Sequence, residues 1–351
     1  MVFKGKKEYG ILRGFIIFTC CLVALSFTAC TKKNDKGNID ENKNGNNIKE
    51  EKYLKAAFER NNNIYIYDEK AEGLQPIGDT VKFKELMVLS PDKKNVAFKY
   101  FYESNSNPIE VIIYNINSRE YSKILIEDKE LENIIELKWI SKDRILITSA
   151  LNPSVLKYGI YDINSKNQVN DVKGLLMDVF KEGELLLYSK TSRKKEDKSN
   201  LYLGDKLLYE LESDDEEVHF AKISQDNKNI AFRTLSYNTA KNEVKEFLYT
   251  GKVDIEKSSV SEIKKVPIPV NIMGELSFDK NNNLFIIGDE NTYKVEGSFF
   301  TLMENQIKDK FIPPEEKLTK FKQVLKKTFV DEFIEDYLQL DELQIYNIQW
   351  F

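Results

Sequence analysis

The chain has 351 residues and a mass of 40.9 kDa, with 52 Lys+Arg against 57 Asp+Glu and a formal net charge of −5. Hydrophobic residues at 41% are enough for a sizeable core, and 31% charged residues of both signs exclude a nucleic-acid binder by bulk charge. One histidine and three cysteines leave little material for metal or nucleophile chemistry.

The first segment carries Lys4, Lys6, Lys7 and Arg13 against Glu8, then an uncharged apolar run from Phe15 to Phe27. Thirteen residues are too few to span a bilayer, for which about 20 are needed, so the pattern predicts a secretory signal peptide. It ends in Phe27-Thr28-Ala29-Cys30, which resembles a bacterial lipobox, with Phe27 where that motif prefers Leu. The resemblance implies cleavage before Cys30 and lipidation of Cys30, which tethers the protein to a membrane surface. Cleavage removes four positive charges and one negative, taking the net charge from −5 to −8, and leaves Cys30 as the sole cysteine.

Residues 31–52 hold six Asn, six Lys and five acids, with only Ile39 and Ile48 apolar. Such a tract cannot offset its ordering entropy, so 30–52 is expected to be a disordered linker, reaching about 25 Å as a flexible coil. Its Lys/Asn/Ile bias resembles proteins of low-GC Gram-positive bacteria. The expected location is therefore the outer face of such a cell membrane.

From Tyr53 to about Met303 the chain turns to short apolar runs broken by Asn, Asp, Lys and Ser. Four segments share a Ser-x-Asp turn between two predicted strands: Ser90/Asp92, Ser141/Asp143, Ser224/Asp226 and Ser277/Asp279. A degenerate copy has Gly183 at its turn. Short oxygen-bearing side chains cap backbone N–H groups in tight turns, so these eight residues are expected to be structural. A repeat of 40–50 residues predicts a β-propeller. The segments SPDKKNVAF and SQDNKNIAF are similar to the repeat of TolB-like propellers, with Lys93 and Asn227 at the family's glycine. Asn227 suits a positive φ and Lys93 does not, so the Lys93 turn is expected to differ. Blades are expected near 53–80, 81–128, 130–173, 174–214, 217–268 and 270–300. That makes six, with seven as the alternative. Blade one offers only three strands.

The C-terminal segment 304–342 opens with Pro313-Pro314-Glu315-Glu316, and Leu318, Phe321, Leu325, Phe329, Phe333 and Tyr337 recur at helical spacing. An amphipathic helix over 315–340 is expected, either capping the propeller or docking a partner. Its charge order, basic then acidic, opposes the macrodipole. Residues 343–351 read as strand, and Ile348-Gln349-Trp350-Phe351 resembles Leu137-Lys138-Trp139-Ile140 of blade three. They are expected to supply the missing strand of blade one.

Catalytic candidates are few. His219 stands at the entrance to a strand without a nucleophile motif, and the run Asp214-Asp215-Glu216-Glu217 lacks calcium-loop spacing. The repeated aspartates occur once per blade, which suits a turn residue better than a catalytic one. Arg193, Lys194, Lys195 and Lys198 form a basic hairpin tip. The expectation is an all-β, non-catalytic, membrane-anchored lipoprotein, without cofactor or metal, whose propeller binds a protein, peptide or cell-wall component. The alternative is a lactonase-like or cyclase-like propeller enzyme with a channel-bound metal.

Overall fold

The computed structural model describes residues 53–78, 82–100, 109–152, 155–190, 199–213, 215–238, 243–269, 272–288, 291–303, 313–329 and 345–351. Cys30, the tract to residue 52, the basic tip at 193–198 and Asp214 lie outside these residues.

Consecutive strand residues point to opposite faces of a sheet, and here both faces are buried. In the strand Asn95–Tyr100, Val96 and Phe98 enter one hydrophobic cluster while Ala97 enters another. Ile112 and Tyr114 likewise part from Val111 and Ile113. A strand sandwiched in this way needs an apolar residue at every position, which is why the sequence runs look continuous.

The strands form antiparallel four-stranded units in chain order. Blade two comprises Lys84–Leu89, Asn95–Tyr100, Ile109–Asn115 and Tyr121–Ile126, with the first innermost. Blades five and six repeat the pattern from Glu216–Ile223 and Glu275–Phe278. Blades three and four share one strand, Gln168–Phe180, which pairs with blade three through Gly174 and with blade four from Leu175. Gly174 sits at φ 144 against the Ser189 carbonyl, where a Cβ would collide with backbone, so only glycine allows the handover. Blade one takes Lys55–Arg60, Asn63–Asp68 and Gly73–Ile77, and its innermost strand is the C-terminal Ile345–Trp350. The architecture is a six-bladed β-propeller.

Separate clusters join blades one to two, two to three, three to four, four to five and five to six. Among the described residues, no hydrophobic cluster joins six to one. Blade one packs its remaining face on the C-terminal helix, Glu315–Thr328. Phe321, fully buried, meets Phe58, Tyr67 and Trp350 edge-on at 5.6, 4.9 and 5.1 Å between ring centroids. Lys317 and Lys320 reach Glu69 of blade one at 3.3 and 3.6 Å.

The helix bears on two expectations that reach past the described residues. It ends at Thr328, with Phe329 as its cap, and 330–344 lies outside the described residues. Within these limits Glu315 and Glu316 occupy the first turn and Lys326 and Lys327 the last, an order that suits the macrodipole; the acidic stretch from Asp331 to Glu342, on which the expected opposition rests, lies outside the described residues.

Candidate functional site

The two ends of the propeller differ in chemistry. At one end the innermost strands finish in short, hydrogen-bonded turns. Ser90 Oγ donates to Asp92 Oδ1 (2.6 Å) and accepts from the Asn95 and Lys94 N–H groups (2.9 and 3.2 Å). Ser224 and Asp226 repeat this with Asn229 N–H at 2.9 Å. Lys93 has φ 61 and Asn227 φ 59, so the Lys93 turn is the same turn as its counterpart, contrary to expectation. The bonds converging on Ser90 and Asp92 hold lysine in a conformation it disfavours.

The other two copies depart from the Ser-x-Asp frame. Ser277 lies inside the strand Glu275–Phe278, and Asp279 takes the place of Ser90. Asp279 Oδ1 accepts from the Asn281 and Asn283 N–H groups, each at 2.8 Å. In blade three Ile140 opens the turn, Ser141 Oγ accepts from Asp143 N–H at 3.3 Å, and Asp143 Oδ1 accepts from Asn164 Nδ2. The two-residue offset in blade six arises because the Asp279 carboxylate can do what the serine hydroxyl does, whereas in blade three the offset is one residue and the backbone pair Ile140 and Arg144 opens the turn.

At the opposite end, where the innermost strands begin, lie the strand ends Tyr100 and Ile109, and Ser189 and Leu201, which are separated by 8 and 11 residues of sequence largely outside the described residues. Within the described residues, the five buried charged side chains are Arg60, Lys84, Lys157, Glu216 and Arg233; the first four sit in this half of their strands, and Arg233 stands at the middle of Asn229–Asn238. Charge is rarely buried unless paired. Glu216 accepts from Tyr249 Oη (2.7 Å) and Thr234 Oγ1 (2.9 Å) and pairs with Lys265, whose ammonium lies 4.2 Å from the Phe247 ring centre. Burial pushes the Glu216 carboxyl up, but Lys265, Tyr249 and Thr234 outweigh it and leave it below the usual value. Burial and the Glu216 charge both push the Tyr249 phenol well up. Burial also depresses the Lys157 ammonium, yet Asp171, Asp128 and Glu130 together raise it above the ordinary lysine value. Arg233 pairs with Glu246 and donates to the Gly274 and Ile272 carbonyls of the next blade.

The innermost strands of blades one to five are bulged near this end, at Asn347, Leu86, Ile135, Met177 and His219. Bulges re-aim side chains, and they recur beside functional sites. His219 occupies one, 3.8 Å from Glu217, with its imidazole depressed by burial. Glu59 and Asp178, both raised by burial, bridge neighbouring blades. Glu59 accepts from Met87 N–H (2.7 Å) and Asn347 Nδ2 (2.9 Å), and Asp178 accepts from Lys222 Nζ (2.8 Å). Among the described residues, no three His, Cys, Asp or Glu side chains come together as a metal site.

No family model matches this chain. No curated protein matches it either. Solved structures resemble it distantly. The β-propeller domain of the Trilobed protease from Pyrococcus furiosus is 18% identical, over 74% of this chain and 81% of that one, with a TM-score of 0.40. An oligogalacturonate lyase from Vibrio parahaemolyticus is 12% identical over 68% and 70%, with a TM-score of 0.41. TolB from Acinetobacter baumannii is 13% identical over 69% and 60%, with a TM-score of 0.31. The chain thus spans less than two thirds of TolB.

Sequence reading had singled out the turn residues and missed the buried charges at the other end. The signal in the sequence is faint: Lys84 and Glu85 precede the apolar run from Leu86, and Glu216 is one of four acids from Asp214 to Glu217. The partners of Lys84 and Glu216, Asn63 and Lys265, are 21 and 49 residues away, and nothing in a linear pattern links them.

Proposed function

We propose that the chain is a lipid-anchored, extracytoplasmic, non-catalytic propeller that binds a protein, peptide or cell-wall component at the end where its innermost strands begin. The observation that supports the reading most is the asymmetry of the two ends. One is closed by short saturated turns; the other gathers four of the five buried charged side chains among the described residues, the bulges and the longer connections. Long connections on a rigid scaffold are where binding surfaces are usually built. Exposed Tyr237, Val244 and Tyr346 stand there as apolar contacts. The signal segment and Cys30 supply the tether, and the acidic balance of the chain fits a partner of basic or neutral character.

The test is crosslinking in intact membranes with paired surface variants. Tyr237→Asp with Val244→Asp, at the proposed face, should abolish crosslinked species that Lys257→Glu, in a turn of the opposite end, leaves intact. Equal loss with both would count against the assignment. A stoichiometric metal in the purified full chain would favour the propeller-enzyme reading instead.

A further inference from the structure

The seam between blades one and two opens, where the innermost strands begin, into a cleft of about 380 Å³. Glu59, Arg60 and Tyr346 line it from blade one, with the Asn61-Asn62 turn beside them and Phe83 across from blade two. This is the end proposed above as the binding face. That the occupant of the cleft belongs to a protein or peptide rests on that reading.

Register brings these side chains together. Tyr346 stands directly opposite Glu59 in the pairing of Lys55–Arg60 with the C-terminal strand, so both point toward blade two. Arg60, the next residue, turns to the other face, where its guanidinium lies 4.0 Å from the Phe329 ring centre. Phe83 is placed by its neighbour Lys84, whose N–H donates to Asn62 O at 2.7 Å. The Lys84 ammonium donates to Asn63 Oδ1 and Lys82 O, each at 3.0 Å. Neither of these two cations pairs with Glu59.

The Glu59 carboxylate is only half engaged. Oε1 accepts from Met87 N–H and Asn347 Nδ2, whereas Oε2 takes no hydrogen bond among the described residues and keeps accessible surface. Burial, with no cation paired to it among the described residues, raises the carboxyl above 4.5. A carboxylate in this state gains from an incoming charged donor. The rings beside it are open as well. Phe83 is 47% exposed and Tyr346 57%, and neither stacks on another ring or holds a cation among the described residues. Two aromatic faces next to one carboxylate suit a cation, because the ring quadrupoles attract the same charge that the carboxylate pairs. Asn61 and Asn62, both exposed at the rim, carry amides able to hydrogen-bond peptide links.

We propose that this cleft takes one lysine side chain of a protein or peptide partner. The ammonium donates to Glu59 Oε2, Phe83 and Tyr346 cover the methylene stem, and the peptide links on either side meet Asn61 and Asn62.

Calorimetric titration of the purified full chain with Nα-acetyl-lysine methylamide, its norleucine analogue and n-butylammonium tests this. The lysine probe should bind saturably and at least about tenfold more tightly than either control, a gap of about 1.4 kcal/mol. Glu59→Gln keeps an acceptor for Met87 N–H and Asn347 but loses the charge, and should weaken the lysine probe at least about tenfold. Phe83→Leu and Tyr346→Leu keep apolar bulk without the ring face, and each should weaken lysine while leaving norleucine unchanged. Circular dichroism and melting of each variant serve as the folding check. The proposal is overturned by absence of saturable lysine binding, by norleucine or n-butylammonium binding as tightly, or by affinity unchanged in Glu59→Gln. Crosslinking that depends on Tyr237 and Val244, together with no lysine binding, would overturn this proposal and leave the assignment of the face intact. Lysine binding that follows Glu59, with crosslinking lost equally in both surface variants, would support the cleft and overturn that assignment.

Discussion

Trp350 and Trp139 occupy the same position in their blades. Each ends an innermost strand, Trp139 opposite Ile145 and Trp350 opposite Ala56. Trp139 faces the preceding blade and donates from Nε1 to Val88 O at 3.1 Å. Trp350 faces Phe321 of the C-terminal helix instead. The helix therefore stands against blade one as a neighbouring blade would, and the aromatic face of blade one is covered by Phe321, Leu325 and Phe329.

Phe321→Ala should cost about 3–5 kcal/mol, the usual loss for a fully buried aromatic, because three rings lose their common contact. Urea unfolding measures it. A cost under about 1 kcal/mol would mean that the helix contributes little to blade one.

Removing residues 345–351 should destabilise the propeller more than any single substitution. The deletion exposes the edge of Lys55–Arg60 and cuts the bonds from Gln349 to Leu89 N–H (2.7 Å) and from Asn347 to Glu59. Thermal melting of the truncated chain checks this, and an unchanged midpoint would refute it.

Lys93→Gly should stabilise the protein by up to about 1 kcal/mol, since glycine adopts φ 61 without the penalty lysine bears. Asn227→Lys in the equivalent turn should do the reverse. Urea midpoints that move in the same direction for both variants would contradict the strain argument.

Glu59 and Glu216 should give opposite pH signatures. Burial raises Glu59 above 4.5, so its ionisation weakens the fold as pH climbs from 4.5 through the raised value. Glu59→Gln should then be at least as stable as wild type at pH 7, with the advantage gone below pH 4.5. Glu216 is held below 4.5, so its contribution is present above that pH and is lost as pH falls through the depressed value. Glu216→Gln should cost stability at pH 7 and little in strong acid. The cost should stay below the roughly 3–5 kcal/mol of a fully buried pair, because Lys265 keeps contact with solvent. Stability curves from pH 2 to 8 distinguish these cases, and parallel curves for the two variants would exclude both assignments.

Cys30→Ala should release the protein from the membrane fraction or leave it as an unprocessed precursor. Fractionation with an antibody to the propeller reads this out; unchanged size together with unchanged membrane retention would refute lipidation.

The strand runs, the tight turns at Ser90 and Ser224 and the likeness of Trp350 to Trp139 were legible along the chain, because each depends on neighbours within a few residues. A strand buried on both faces writes itself into the chain as a continuous apolar run, and a serine two residues before an aspartate closes its own turn. The frame failed where chemistry was interchangeable, at Asp279 and Ile140, since a carboxylate or a bare backbone pair can close the same turn. By itself, then, the sequence determined that the chain is a repeating all-β array with an amphipathic segment after it. Only the tertiary structure decided that the helix covers blade one, that Glu216 meets Lys265, and that Glu59 and Phe83 share a cleft. Those contacts join residues tens of positions apart across blade seams, where the match depends on the packing angle and register of two sheets rather than on any local pattern.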